Sequence, residues 1–180
     1  DIGSGIGLTD NYLTHKIKNL YGVDVEAGIV NKAKTRNPAV NYSQYDGLKL
    51  PFNDNEFDIT LAINVMHHVN PSNWENFASE MYRVVKKGGL AVLFEHNPYN
   101  PLTKLAVSKC EFDRDAVLLK KGRLKKIFSS VSFKVISSKY IVFFPFKHKF
   151  YRIIEKGFAW LFLGAQYYII NKKEVSRGVN

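Results

Sequence analysis

Three glycines at alternate positions, Gly3, Gly5 and Gly7, stand in the run Asp1-Ile2-Gly3-Ser4-Gly5-Ile6-Gly7. Such a run lets the backbone come close to a ligand and leaves amide groups free to meet negative charge. A dinucleotide fingerprint would read GxGxxG, and the position three after Gly5 is Leu8, so the spacing departs from it. Asp24 follows 21 residues after Gly3, at the end of the next apolar segment. A carboxylate in that place takes both hydroxyls of a ribose. Asp46-Gly47 ends the segment after that, where a side-chain oxygen accepts a hydrogen bond from an adenine amino group. Three successive loops thus carry nucleoside-binding chemistry, at the carboxyl ends of strands, where open parallel sheets bind their ligands.

These groups have to be positioned by an alternation of strands and helices. The apolar positions Leu8, Tyr12, Leu13, Ile17 and Leu20 predict a helix over Leu8–Leu20, with Thr9 or Asp10 as its N-cap. Leu20–Val25 reads as a strand, Ala27–Lys34 as a helix, Val40–Tyr45 as a strand, and Phe57–Val65 as a strand covered on both faces. A helix begins at Pro71 and runs to about Val85, with Trp74, Phe77, Met81 and Val84 or Val85 on one face. Lys86-Lys87-Gly88-Gly89 is expected to end it, before a buried strand over Leu90–Glu95. This rhythm predicts a parallel sheet with helices on both faces. A glycine turn normally follows a strand, and a first strand with a helix before it is expected upstream of Asp1. Beyond Glu95 the pattern predicts a loop with a short helix over residues 96–115, a helix over Ala116–Phe128 and a long strand over Phe133–Phe144. A basic amphipathic helix near Phe150–Leu163 and a last strand over Gln166–Asn171 complete the chain.

The 180 residues fit one domain, 1–180, and 46% apolar and 23% charged residues describe an ordinary globular chain. That excludes disordered, collagenous and disulfide-scaffold classes. The single cysteine, Cys110, supplies neither an internal disulfide nor a multi-thiolate metal site, and a reducing, cytoplasmic setting is expected. The longest uncharged stretch near the end, Gly157 to Asn171, is 15 residues and too short to span a bilayer. Charge is uneven: residues 1–90 hold 9 Lys/Arg against 10 Asp/Glu, and residues 91–180 hold 17 against 6. A basic half of this kind suits an anionic substrate, a nucleic acid or an anionic membrane surface.

With these motifs in view, the sequence resembles the class I S-adenosylmethionine-dependent methyltransferases. DIGSGIG resembles their glycine-rich first motif, with Ser4 where the common form has Cys; YGVDVEAGIVNKAK is similar to the ribose-binding loop and its helix; YDGLKLPFNDNEFD is similar to the adenine-side loop. INVMHHV and EMYRVVKKGGLAVLFEH resemble the fourth and fifth strands with the helix between, so the likeness covers residues 1–97. It implies a three-layer αβα sandwich around a Rossmann-like, seven-stranded, mostly parallel sheet with an antiparallel last strand. It implies S-adenosyl-L-methionine as cofactor, held by Asp1, Gly3, Ser4, Gly5, Asp24, Val25, Asp46 and Gly47. Asn64 and Val65 would line its methionine end. HNPYNPLT, CEFDRDAVLL and LGAQYY look like a bacterial subgroup acting on small or on lipid- and sugar-linked acceptors.

Methyl transfer from a sulfonium needs orientation first, and a base only where the nucleophile carries a proton. His67, His68 and His96 are the candidate bases, since an ordinary imidazole titrates near pH 6.5, with Glu95 orienting one of them. Adenine-amino methylation of nucleic acid would call for Asn/Asp-Pro-Pro-aromatic after the fourth strand, where the chain has Asn64-Val65-Met66-His67; Asn97-Pro98-Tyr99 is similar but follows the fifth. Cytosine-C5 chemistry would require a supported nucleophilic cysteine. A nucleic-acid acceptor is therefore disfavoured. No metal site is expected, because adjacent His67 and His68 should point apart. Phe150, Ile153, Ile154, Phe158, Trp160 and Leu161, flanked by Lys147, Lys149, Arg152 and Lys156, compose a stripe suited to peripheral contact with an anionic inner membrane surface, and a non-catalytic module seated there is the competing reading.

Overall fold

The computed structural model describes residues 1–143, 157 and 161–175. Among these residues there are six strands: β1 (Tyr21–Asp24), β2 (Asn41–Gln44), β3 (Phe57–Ile63), β4 (Val85–His96), β5 (Phe133–Ile141) and β6 (Gln166–Lys173). Five α-helices accompany them: α1 (Leu8–Leu13), α2 (Ala27–Arg36), α3 (Trp74–Val84), α4 (Pro101–Lys109) and α5 (Lys121–Ser130). β1 and β2 pair in parallel as one sheet; β3, β4, β6 and β5, in that order, compose the other, with β6 antiparallel to both neighbours. Ile2 lies between the two sheets. It forms a parallel bridge with Val23 of β1, and its amide donates to the Leu61 carbonyl of β3 at 2.8 Å. A cavity of about 330 Å³ continues from Ile2 between Tyr21 and Val23 on one side and Ile59, Thr60 and Leu61 on the other.

The expected mixed sheet with an antiparallel last strand is present, but the described residues hold six strands in two hydrogen-bonded sheets, not seven in one. α1 stops at Leu13, six residues long. Leu8 and Tyr12 are exposed, so there is no core beneath that face to extend it, and Gly7 occupies the N-cap in place of Thr9 or Asp10. Asp10 is instead buried and accepts from the Tyr42 hydroxyl at 2.7 Å. Residues 116–120 are not helical, and α5 begins only at Lys121. β5 ends at Ile141, and the amphipathic stretch over Phe150–Leu163 lies outside the described residues apart from Gly157 and residues 161–163.

α3 forms where Trp74, Phe77, Ala78, Met81 and Val84 repeat at helical spacing, and all five are buried. Asn70 opens the turn before it by accepting from the Ser72 amide at 3.0 Å, with Pro71 at the first position. The helix does not end on the glycines. Val85 is already extended and paired with Phe57, and residues 86–89 bulge out before Leu90 pairs with Ile59. Gly88 takes φ 83°, and a Cβ on Gly89 would stand 2.7 Å from the Asp58 carbonyl oxygen, so the glycines serve the bulge. The core is built from α3 and α5 against the larger sheet, through Met66, Met81, Leu93, Leu124, Phe128, Tyr167 and Ile169. A smaller cluster of Val30, Ala33, Val40 and Tyr42 packs α2 onto β2. No helix among the described residues is long and apolar enough to cross a membrane.

Asn97 is fully buried, and its Nδ2 donates to the Phe162 and Gly164 carbonyls at 2.6 and 2.7 Å. Asn100 donates to the Leu163 carbonyl at 2.6 Å. The Asn97-Pro98-Tyr99-Asn100 segment is thus a clip that aims the chain into β6. Asn97→Ala, which strips the buried Gly164 carbonyl and the part-buried Phe162 carbonyl of their donor, is expected to lower stability by about 2 kcal/mol in urea titration. Leu102→Ala, on an exposed side chain, should stay within about 0.5 kcal/mol of the parent.

Candidate functional site

The glycine turn leaves Ile2 in a left-handed path, with φ 69° at Gly3, 55° at Gly5 and 72° at Gly7. A Cβ on Gly3 would come within 2.6 Å of a Val65 methyl, so the turn lies directly against the end of β3. On its other side the Gly5 amide donates to Asp24 Oδ2 at 2.9 Å, and the Glu26 amide to Asp24 Oδ1 at 3.2 Å. Asp24 is thereby held in one rotamer at the end of β1 while half-exposed. Val25, next to it, is exposed and faces Gly47, whose added Cβ would meet a Val25 methyl at 3.3 Å.

Asp46 closes the loop after β2 by accepting from the Leu48 and Lys49 amides through Oδ1, at 2.8 and 2.7 Å. Those bonds hold its carboxyl below the ordinary carboxylate range, Lys49 first and Leu48 second. Oδ2 remains for a ligand. Tyr45, beside both Asp24 and Asp46, is pushed up to about 12 by burial and then by the two carboxylates, so it stays a neutral phenol. Arg83 braces the loop from behind: it donates to the Leu50 and Phe52 carbonyls at 2.9 and 2.7 Å and to Glu80, which itself accepts from the Leu50 amide.

The chain leaves β3 through Asn64 at φ 56°, a conformation asparagine tolerates and most residues do not. Glu95, buried at the end of β4, gathers the next three residues, Val65, Met66 and His67. Its Oε1 accepts from the Val65 and Met66 amides at 3.1 and 2.7 Å, and its Oε2 accepts from His67 Nδ1 at 2.6 Å. Because a carboxylate only accepts, Nδ1 carries the proton and His67 Nε2 points away from Glu95. Trp74 Nε1, bonded to the Met66 and Val69 carbonyls, fixes this short 3-10 turn, Met66–His68.

His67, His68 and His96 do come together: the His67 ring centroid is 4.2 Å from that of His68 and 5.1 Å from that of His96. The two adjacent histidines do not point apart, since the tight turn swings both toward Asp113, which lies 3.3 Å from His68 Nε2 and 3.6 Å from His67 Nε2. Burial opposes a charge on His67, but Glu95 and then Asp113 outweigh it and raise its pKa above an ordinary imidazole. His68 and His96 move down, by burial first and by the neighbouring His67 second. His96 is therefore held neutral with a free lone pair.

Two residues of this region carry no spacing signal in the sequence. Asp113 lies on a short turn, Glu111–Asp113, tied in by the Val117 amide donating to the His67 carbonyl at 2.8 Å. Gln166, at the start of β6, reaches Asn64 Oδ1 at 3.4 Å from 102 residues away.

A glycine turn, carboxylates at successive strand ends and an antiparallel strand inserted beside β4 define a Rossmann-like methyltransferase fold. A SAM-dependent methyltransferase of Archaeoglobus fulgidus superposes with a TM-score of 0.74 at 18% identity, over 96% of this chain and 84% of that one. Residues 1–93, more than half the chain, match the family described as methyltransferase domain, and the chain belongs to that family. An uncharacterised methyltransferase of Synechocystis sp. is 30% identical over 101 residues, 56% of this chain and 48% of the relative. An uncharacterised protein of Methanocaldococcus jannaschii is 31% identical over 147 residues, 81% of this chain and 58% of the relative. The chain spans about half the length of these curated relatives.

The family's cofactor is S-adenosylmethionine, and the residues present fit it. A Cβ on Gly5 would meet nothing within 4 Å, so the turn opens onto free space there, while at Gly3 it closes against Val65. Ser4 Oγ and Asp1 Oδ1 are buried beside the turn without a hydrogen-bond partner, and Asp24 and Asp46 offer acceptors at the next two strand ends. Carboxylates also suit the positive charge of a sulfonium and an ammonium group.

Proposed function

We propose that the protein transfers a methyl group from S-adenosylmethionine to a small or a lipid- or sugar-linked acceptor. The observation that carries this reading is the junction at Val65. Its side chain lies against the glycine turn, and its amide is bonded to the carboxylate that holds the histidine cluster, so a donor side and an acceptor side meet at one residue. Bound S-adenosylmethionine supplies an electrophilic methyl group for in-line displacement. In this reading Asp24 takes the ribose hydroxyls, Asp46 Oδ2 takes the adenine amino group, and Asp1, Ser4, Gly3 and Gly5 frame the turn. Val25 and Gly47 border the adenine side, and Asn64 and Val65 face the methionine end. His96, neutral and within ring distance of His67, accepts the nucleophile's proton, while Glu95 and His67 keep the wall rigid.

Support for a non-nucleic-acid acceptor comes from the residues after β3, Asn64-Val65-Met66-His67, and from Asn97, whose amide protons are spent on the clip. The basic second half suits an anionic acceptor. The test is transfer of a labelled methyl group from S-adenosylmethionine into fractionated cell extract by the full-length protein. Label is expected in a small-molecule or lipid fraction, and label confined to RNA or DNA would overturn the reading. His96→Gln is expected to reduce the transfer rate by about 100-fold while leaving donor affinity within twofold, since a positioned base contributes on the order of 10²–10⁴.

A further inference from the structure

His67, His68 and Asp113 offer three ligand atoms that lie within 4.8 Å of one another, and of these the methyl-transfer reading uses His67 alone, as part of the wall. From this geometry we propose that they compose a binding site for a divalent first-row transition-metal cation, with Glu95 orienting His67 from behind. The metal site shares His67 with the wall of the proposed acceptor side and does not depend on donor binding.

Four observations carry it. First, His67 Nε2 is buried and has no hydrogen-bond partner, although its side chain is only 1% exposed. A buried unpaired nitrogen is costly, on the order of 1–3 kcal/mol, and Asp113 Oδ1 at 3.6 Å is too far to bond it directly. Second, two of the three separations are close to those of ligands around a common ion, and the third is no more than 4.8 Å. Metal–ligand bonds of roughly 2.0–2.1 Å at a tetrahedral centre set ligand atoms about 3.3 Å apart, and Asp113 Oδ1 lies 3.3 and 3.6 Å from the two histidine nitrogens. Third, Glu95 Oε2 accepts the Nδ1 proton of His67 at 2.6 Å, the carboxylate–histidine arrangement that fixes tautomer and ring for a metal at Nε2. Fourth, burial is graded. His67 is buried, Asp113 half-buried and His68 exposed, so three protein ligands leave an open side for water or an oxygen ligand.

Two imidazoles and one carboxylate are the donor set of zinc and iron(II) sites, and a poor set for magnesium or calcium, which favour all-oxygen shells. The turn that carries them is preorganised without the ion: Trp74 holds Met66–His68 through two carbonyls, and Val117 ties the Asp113 segment to His67.

The experiment uses the tag-free, full-length protein, dialysed against chelator and then titrated with Zn²⁺, with Co²⁺ as a spectroscopic stand-in. One Zn²⁺ per chain is expected, and Co²⁺ should develop the intense visible bands of a low-coordinate imidazole site. His68→Ala and Asp113→Ala, which remove ligands from the exposed side and not from the core, should each weaken Zn²⁺ by about 100-fold or more, and Glu95→Gln by roughly 10- to 100-fold. Zn²⁺ should raise the thermal midpoint of the parent and not of those variants, while in chelator His68→Ala, Asp113→Ala and parent unfold alike. His15→Ala, at an exposed position in the loop after α1, should bind as the parent does. Absence of stoichiometric Zn²⁺ and Co²⁺ binding would overturn the proposal, as would binding that survives both His68→Ala and Asp113→Ala. Because the readout is metal and not methyl transfer, its failure and that of the donor-binding reading are separately visible.

Discussion

Asp24→Ala is expected to weaken S-adenosylmethionine by one to two orders of magnitude in calorimetry on the full-length protein. The carboxylate's two oxygens take hydrogen bonds from the Gly5 and Glu26 amides, which lock it at the end of β1 without exhausting its lone pairs. Removal therefore loses the tie that holds the glycine turn and, with it, the ribose contacts proposed for this carboxylate. Bonds to a charged group are worth about 1.5–3 kcal/mol, which corresponds to roughly 10- to 150-fold. Asp24→Asn separates the two contributions in part. It retains one oxygen for the Gly5 amide and gives up the bond from the Glu26 amide, so the turn keeps its tie and the remaining loss reports the ribose together with that one bond. An unchanged affinity for both variants would remove Asp24 from the site.

Arg83→Ala should be the most destabilising change in the donor half, at about 2–3 kcal/mol, because it leaves the Leu50 and Phe52 carbonyls without that donor and Glu80 with the Leu50 amide and no cation. The side chains are 22% and 15% exposed for Arg83 and Glu80, so solvent screens part of the loss. pH tests the assignment. The Arg83 hydrogen bond, against a smaller opposing effect of burial, holds the Glu80 carboxyl below its usual value. A depressed folded-state pKa stabilises the protein above the unfolded value near 4.3 and loses that stabilisation as pH falls through the lower folded value. The stability deficit of Glu80→Gln measured at pH 7 should thus shrink below about pH 4. A deficit constant from pH 7 to 3.5 would show that the pair contributes through packing and not through charge.

The proposed donor side is readable in one dimension because its groups follow one another at local spacing. Asp24 ends the short strand β1, Asp46 follows β2, and Gly3 and Gly5 follow the single bridge of Ile2 to Val23. The other side draws on distant segments. Asp113 reaches the histidines from a short 3-10 turn, and Gln166 reaches Asn64 across 102 residues, with no periodicity to announce either. Strand or helix geometry would set His67 and His68 apart. The 3-10 turn, closed by Glu95 and Trp74, rotates both rings to one side. Helix ends are hard to read for a related reason: Lys86-Lys87-Gly88-Gly89 has the composition of a cap, and only the pairing of Val85 with Phe57 shows it to be a bulge. Arg83 and Asn97 look like an ordinary surface arginine and a loop asparagine until the carbonyls they serve are seen.

The place of β6 between β4 and β5 has a consequence for biosynthesis. Leu90–His96 pairs on one edge with Gln166–Lys172, so a ribosome must deliver some seventy further residues before that edge is covered. β5, made earlier, has no bond to β4 and waits for the same strand. Until then Ala91 and Leu93, fully buried in the finished molecule, belong to a strand with an open row of amides and carbonyls, the kind of edge that recruits other chains. Folding of the β4–β6–β5 unit is therefore a late, non-local event, and this sheet is at its most aggregation-prone just before β6 emerges.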